Sequence, residues 1–297
     1  MTVKVLAPAK INLALHITGQ RDDGYHKIDS LVAFGPAYDV VGVTAAAQNT
    51  LSISGPEAAG LPADDDNLIL RAARLLDVGA AHFALEKNLP IASGIGGGSS
   101  DAAAALRGLL VVYDESHDLH DGSDAPLREF GLKLLGLGAD IPMCLLPRSL
   151  RVGGIGEKLV PQALPPVACV LVNPRVQVAT AKVFSALHSK QNPAMPARVP
   201  QFEDSGHLID WLADQRNDLQ APARALVPEI DHVLEVLVHS QGCGLARMSG
   251  SGATCFGLFA DPDRAKAASY EIAAARPDWW VAGGMLGERR DWASPLA

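Results

Sequence analysis

No run of apolar residues in this chain approaches the roughly 20 needed to cross a bilayer, and MTVKVLAPAKIN at its start carries no charged-then-apolar signal pattern. Cysteines are few. Cys144, Cys169, Cys243 and Cys255 are scattered without metal-ligand spacing. Each sits in an apolar setting and reads as a small buried hydrophobe, which suits a reducing cytoplasm. Positive charge is in deficit: 25 Lys and Arg face 33 Asp and Glu, for a net charge of −8. That balance argues against a nucleic-acid or anionic-membrane surface as the main business, though a local positive pocket remains compatible with it. The two common nucleotide loops are missing as well. There is no GxxxxGK(S/T), and GxGxxG fails from Gly94 onward because Ser99 stands where the last glycine belongs. Neither HExxH nor EF-hand spacing occurs, and there is no internal repeat or low-complexity segment.

What the chain does have is 297 residues, 48% hydrophobic and 20% charged, enough for two globular domains or one large one. It also has one dense glycine cluster. Gly94, Gly96, Gly97 and Gly98 fall within Pro90–Ala105, followed by Ser99, Ser100, Asp101 and an alanine run. Glycines at this density suit neither a helix nor a strand interior, whereas the alanines favour a helix. The segment therefore predicts a loop feeding a helix from Ser100 to about Tyr113. Helix N-termini present unpartnered N–H groups and partial positive charge, so the junction suits an anion such as phosphate. Helix caps at a plain turn would leave the same pattern.

Upstream, Val3–Leu6 predicts a strand, and Lys10 to Ile17 alternates. Ile11, Leu13, Leu15 and Ile17 share one face; Lys10, Asn12, Ala14 and His16 share the other. Lys10 and Asn12 thus stand roughly 7 Å apart on one side, as a solvated face would also have them. Tyr25 and His26 leave a polar turn at Gly19–Gly24, and alone they are compatible with simple packing. Further strands are expected at Ser30–Phe34, Asp39–Val43, Leu51–Ile53 and Ala84–Lys87. Asp64, Asp65, Asp66 and Asn67 predict an acidic cap on a helix over Leu68–Leu76 that Gly79 stops. The Asp114–Asp124 stretch reads as a solvated loop, and Pro126–Gly136 as a helix. Asp140 lies in a tight turn before Pro142, either as a cap or as a carboxylate whose surroundings suit a base.

Pro161–Pro166, with three prolines in six residues, is the best linker. Beyond it come a buried strand at Val167–Val172, helices at Val178–Leu187, His207–Leu212 and Glu229–Ser240, and strands near Ala246–Met248 and Thr254–Phe259. A helix over Pro262–Ala275 capped by Asp261 and a strand at Trp279–Met285 complete the half. That order resembles a ferredoxin-like βαββαβ plan with helical insertions.

Four ordered motifs then converge: PAKINLxLxITGxRxDGYH at 8–26, PxxSGxGGGSSDAA at 90–103, GADIP at 138–142 and SGSGAT at 249–254. Together with Asp66-Asn67-Leu68 and Asn217-Asp218-Leu219, they resemble the GHMP kinase superfamily over nearly the whole chain. More narrowly, they resemble the branch acting on 4-diphosphocytidyl-2-C-methyl-D-erythritol in the non-mevalonate isoprenoid pathway. Homoserine and sugar kinases of the superfamily are the alternative; they share the loop type but lack the Tyr-His element after Asp-Gly.

The resemblance implies an α+β fold of two domains. Residues 1–160 would form an ATP-binding domain like ribosomal protein S5 domain 2, and residues 161–297 a ferredoxin-like domain. It implies ATP and Mg²⁺ as cofactors, no nucleic-acid or membrane partner, a monomer or homodimer, and a cytoplasmic location. Transfer of the ATP γ-phosphate to the substrate 2-hydroxyl would use Asp140 as base and Lys10 as its electrostatic partner. The nucleotide would lie over Pro90, Ile91, Ala92, Ser93, Gly94, Ile95, Gly96, Gly97, Gly98, Ser99 and Ser100, with Asn67 beside it. Mg²⁺ would come with the phosphates, near the hydroxyl of Ser99 or Ser100. Tyr25, His26 and Phe184 would hold the cytosine, and Asn12 and Thr180 would make polar substrate contacts. At Ala92, Ser93 and Asp101 the chain departs from common patterns, and Asp101 is expected to cap the helix.

Overall fold

A computed structural model describes residues 1–113 and 133–294; the expected loop at Asp114–Asp124 and most of the expected helix at Pro126–Gly136 lie outside them. The chain opens with two long antiparallel strands, β1 (Thr2–Gln20) and β2 (His26–Ala45). Four further strands are β3 (Thr50–Ser54), β4 (Ala81–Glu86), β5 (Leu150–Gly154) and β6 (Lys158–Pro161). They form one sheet in the order β3-β4-β2-β5-β6, with β1 along the other side of β2.

β1 replaces the two shorter strands expected there, and Pro8 does not end it. Irregularities in its pairing with β2 fall between Pro8 and Lys10, between Asn12 and Ala14, and between Ile17 and Gly19. Each bulge re-aims the side chains beyond it. Ile11 and Leu13 therefore enter one apolar cluster, while Leu15 and Ile17 enter another. The supposed solvated face is buried too: Lys10, Asn12, Ala14 and His16 are all enclosed.

Two helices cover this sheet. The first, α1 (Leu68–Leu76), is capped by the Asn67 side chain, which accepts from the Ile69 amide; the preceding acids do not cap it. It ends at Asp77, in the left-handed region, before Gly79 is reached. The second, α2 (Gly97–Val112), starts three residues earlier than the loop pattern predicts, because Gly97 and Gly98 are taken into its first turn. A short helix, α3 (Ile141–Leu145), follows Asp140. Arg107 of α2 ties α3 to β1, donating to the carbonyls of Cys144 and Leu6 at 2.7 and 2.6 Å.

The second sheet contains β7 (Val167–Asn173), β8 (Cys243–Met248), β9 (Cys255–Phe259) and β10 (Trp280–Leu286), ordered β10-β7-β9-β8 and wholly antiparallel. Between β7 and β8 run α4 (Thr180–Ser185), α5 (Ser205–Ala213), α6 (Gln220–Leu226) and α7 (Glu229–His239). Helix α8 (Pro262–Ala275) joins β9 to β10 and is capped by Asp261 as expected. This is the ferredoxin-like strand order, elaborated by three extra helices. The sheets are not independent: one core cluster joins Ile11, Leu13, Leu31 and Leu89 to Cys169, Leu171, Phe256 and Leu258. At its far end, β1 also bridges Asn217 through Leu15.

Candidate active site

A cavity of about 1140 Å³ opens where the glycine segment meets both sheets. That lies just above the roughly 300–1,000 Å³ of ordinary ligand pockets. The loop that forms its floor holds Ala92, Gly94 and Gly96 at positive φ, 50°, 76° and 66°. Among the described residues, no backbone amide from Gly94 to Ser99 donates a hydrogen bond within the protein. These free donors, with α2 starting at Gly97, make an anion cradle.

The loop is held from the opposite half. The Ser249 hydroxyl donates to the Gly94 carbonyl at 3.1 Å and accepts from the Asn12 amide at the same distance. A Cβ at Gly94 would lie 2.7 Å from the Gly252 nitrogen and would also collide with the Ser249 carbonyl, so the two glycine turns pack backbone against backbone. Asn217 fixes the second turn by donating to the carbonyls of Met248 and Gly250 at 2.7 and 2.9 Å.

Lys10 reaches over Gly96. Its Nζ lies 3.0 Å from Asp140 Oδ2 and donates to Asn12 Oδ1 at 2.8 Å. The lysine side chain is 4% exposed and the aspartate side chain 36%, so the carboxylate is the accessible member. Asn12 is fixed in turn by donating to the Ser30 hydroxyl at 2.8 Å. Period-two spacing on β1 accounts for the Lys10–Asn12 contact. The Asp140 partnership needs the turn before α3 and is invisible in the local sequence. A carboxylate, an ammonium and a row of free amides around one space form a set suited to moving a phosphoryl group.

Farther along the cavity, the rings of His26 and Phe184 stand 4.8 Å apart and tilted by 34°. Burial and, secondarily, the Lys190 ammonium hold His26 below the ordinary histidine value. The imidazole is then neutral at pH 7, with one donor and one acceptor nitrogen. Its Nε2 is buried and has no partner within the protein. Tyr25 is 60% exposed at the rim. Thr180 shares a hydrogen bond with Ser251 at 2.9 Å.

The cavity walls include Lys10, Asn12, Tyr25, His26, Asn67, Asp140, Thr180 and Phe184. They also include Pro90, Ile91, Ala92, Ser93, Gly94, Gly96, Gly97, Gly98 and Ser99. Two residues expected there are not among them. Ile95 packs into the core between the sheets, and Ser100 is fully buried. Of the two serine hydroxyls expected near a metal, Ser99 is the one on the cavity. The expected helix cap at Asp101 is corrected: the residue lies inside α2, and its carboxylate bonds Lys87 Nζ at 2.8 Å. Lys87, Asp39 and Ser30 were not marked by the sequence pattern, and each acts through a partner distant in the chain; Ser249 and Ser251 fall in the SGSGAT motif, but their partners Asn12, Gly94 and Thr180 are equally distant. Among the described residues, no group of three or more His, Cys, Asp or Glu side chains is placed to hold a metal.

The family described as GHMP kinases N terminal domain matches residues 67–147, and that described as GHMP kinases C terminal matches 196–278. The chain is 50% identical over 280 residues to the 4-diphosphocytidyl-2-C-methyl-D-erythritol kinase of Cereibacter sphaeroides, covering 94% of this chain and 97% of that one. It is 51% identical over 291 residues to the enzyme of the same name from Ruegeria pomeroyi, covering 96% and 100%. A crystal structure of 4-(cytidine 5'-diphospho)-2C-methyl-D-erythritol kinase superposes with a TM-score of 0.74 at 35% identity, covering 96% of this chain and 99% of that one. The homoserine kinase of Cytophaga hutchinsonii, at 16% identity and a TM-score of 0.66, shares the fold.

Proposed function

Because the chain belongs to the GHMP kinases, and within them to the 4-diphosphocytidyl-2-C-methyl-D-erythritol kinase family, we propose that it phosphorylates the 2-hydroxyl of that cytidyl substrate with ATP. It is a kinase of isoprenoid precursor synthesis. The observation that carries the finer reading is the Lys10–Asp140 pair at 3.0 Å beside Gly96, in one cavity with the His26–Phe184 wall. Residues 1–160 supply the phosphate floor, and residues 161–297 the turn that props it and the Phe184 side of the pocket.

In this mechanism Asp140 takes the proton of the substrate hydroxyl as its oxygen attacks the γ-phosphorus. The bond to the β-phosphate oxygen breaks and ADP leaves. Lys10 orients Asp140 and offsets the charge spread over the transferred phosphoryl oxygens. Free amides from Gly94 to Ser99 hold the phosphates of the nucleotide. Mg²⁺ would be held chiefly by those phosphates, with Ser99 as the nearby hydroxyl, and would supply charge neutralisation. His26, with its unpartnered Nε2, reads the edge of the cytosine while Phe184 and Tyr25 cover its faces.

Release of ADP is expected with Mg-ATP and the cytidyl substrate, and not with homoserine, mevalonate or galactose. Turnover with one of those instead would remove the assignment of Tyr25, His26 and Phe184 while keeping the phosphate floor. For Phe184→Ala, KM for the cytidyl substrate is expected to rise about tenfold or more, the value of one base–aromatic stack, with KM for ATP unchanged. An unaltered substrate KM would discard the stacking role.

A further inference from the structure

Beneath the phosphate floor lies an ionic cluster that the mechanism above does not use. Lys87, just past β4, is 3% exposed; its Nζ bonds Asp39 Oδ2 at 2.5 Å and Asp101 Oδ2 at 2.8 Å. Asp39 also accepts from the amides of Asn88 and Leu89, at 2.5 and 2.8 Å. Asp101 Oδ1 is buried without any partner. The cluster touches the cradle directly. A Cβ added to Gly97 would lie 3.1 Å from Lys87 Nζ and 3.9 Å from Asp39 Oδ2, and Lys87 and Asp101 both line the cavity. Consecutive glycines thus back onto two different lysines: Gly96 onto Lys10, Gly97 onto Lys87.

The charge count gives the cluster its meaning. Two carboxylates and one ammonium sum to −1, which would repel the phosphates that the amides attract. Burial drives the Asp101 carboxyl well above the usual carboxylate range, against the pull of Lys87. When Asp101 takes up a proton, Lys87 and Asp39 cancel, and the floor is neutral. Without Lys87, the Asp39 charge would stand uncompensated under Gly97, where low dielectric makes it felt.

We propose that Lys87 is a positioning residue for the nucleotide: it offsets the Asp39 charge beneath Gly97 and so lets the cradle bind in proportion to phosphate number. This rests on the reading that the nucleotide's phosphates lie over the glycine loop. Lys10 sits on the side of Asp140 and the transferred group, whereas Lys87 governs the bound polyphosphate before any transfer.

The test is calorimetric titration of the whole protein with ATP, ADP, AMP and adenosine. Wild-type affinity is expected to rise with phosphate number. Lys87→Gln keeps hydrogen-bonding capacity without the charge, and its ATP-to-AMP affinity ratio is expected to fall about tenfold, with adenosine affinity nearly unchanged. Lys87→Met/Asp101→Asn gives the same readout should the single variant not fold, since Asp39 keeps its two backbone donors. Lys87→Gln/Asp39→Asn, with a neutral floor again, is expected to restore the ratio, a rescue that a purely structural role would not produce. An intact ratio in either charge-deficient variant, or no rescue, overturns the proposal. A wild-type protein indifferent to phosphate number would instead overturn the reading of the glycine loop on which it rests.

Discussion

Asp140→Ala is expected to lower kcat about 10³-fold, within the range that a positioned general base contributes. KM for the cytidyl substrate should stay within about threefold, because the group acts on the transition state more than on the ground state. The carboxylate is suited to the experiment: it heads α3, and its side chain makes no capping hydrogen bond there. Removing it therefore leaves the helix start intact, while Arg107 still holds the carbonyls of Cys144 and Leu6. Steady-state kinetics with an ADP-coupled assay decides the matter. A kcat within tenfold of the parent enzyme would show that the proton is taken elsewhere and that Asp140 only orients Lys10.

Lys10→Met should be nearly as severe, with kcat falling about 10²- to 10³-fold, since one preorganised charge at the transferred group is removed. Here a stability cost accompanies the kinetic one. Asn12 Oδ1 loses its donor inside a buried network, which costs about 1–3 kcal/mol. A thermal melt separates the two effects, because the residual folded enzyme still reports kcat per active molecule. Lys10 and Asp140 form one unit, so Lys10→Met/Asp140→Ala should be no more than about tenfold slower than the worse single variant. Full multiplication of the two losses would mean that the residues act independently and that their 3.0 Å contact is incidental to the chemistry.

Much of this site could be read in the chain because its signals are local. The glycine loop announces itself by composition, and the placing of Lys10 with Asn12 follows from strand periodicity. Asp261 and α8 carry a cap and a proline in the first turn, so their boundaries agree with the structure. Nonlocal terms explain what was missed. The bulges in β1 exist only relative to β2, so no alternation along β1 reveals that its polar face is enclosed. At Gly97, in the first turn of α2, a Cβ would crowd Lys87 Nζ at 3.1 Å, a neighbour ten residues back that local composition does not reveal. Asp101 looks like a cap until Lys87 and Asp39 are placed beside it. Helix α6 went unread because Pro222 interrupts the pattern, although a proline in the first turn removes no helical hydrogen bond.

The bond from Ser249 to Gly94 spans 155 residues of chain. A polypeptide leaving the ribosome N-terminus first, at roughly 5–20 residues per second, exposes the glycine loop about 8–30 s before the turn that props it. Through that interval the loop has its sequence but not its brace, and β1 lacks the core that receives Leu15 and Ile17. Nucleotide capture is therefore expected to begin only after Ser249 has emerged. A nascent chain halted before Ser249 would carry every residue of the floor and still have no site to fill.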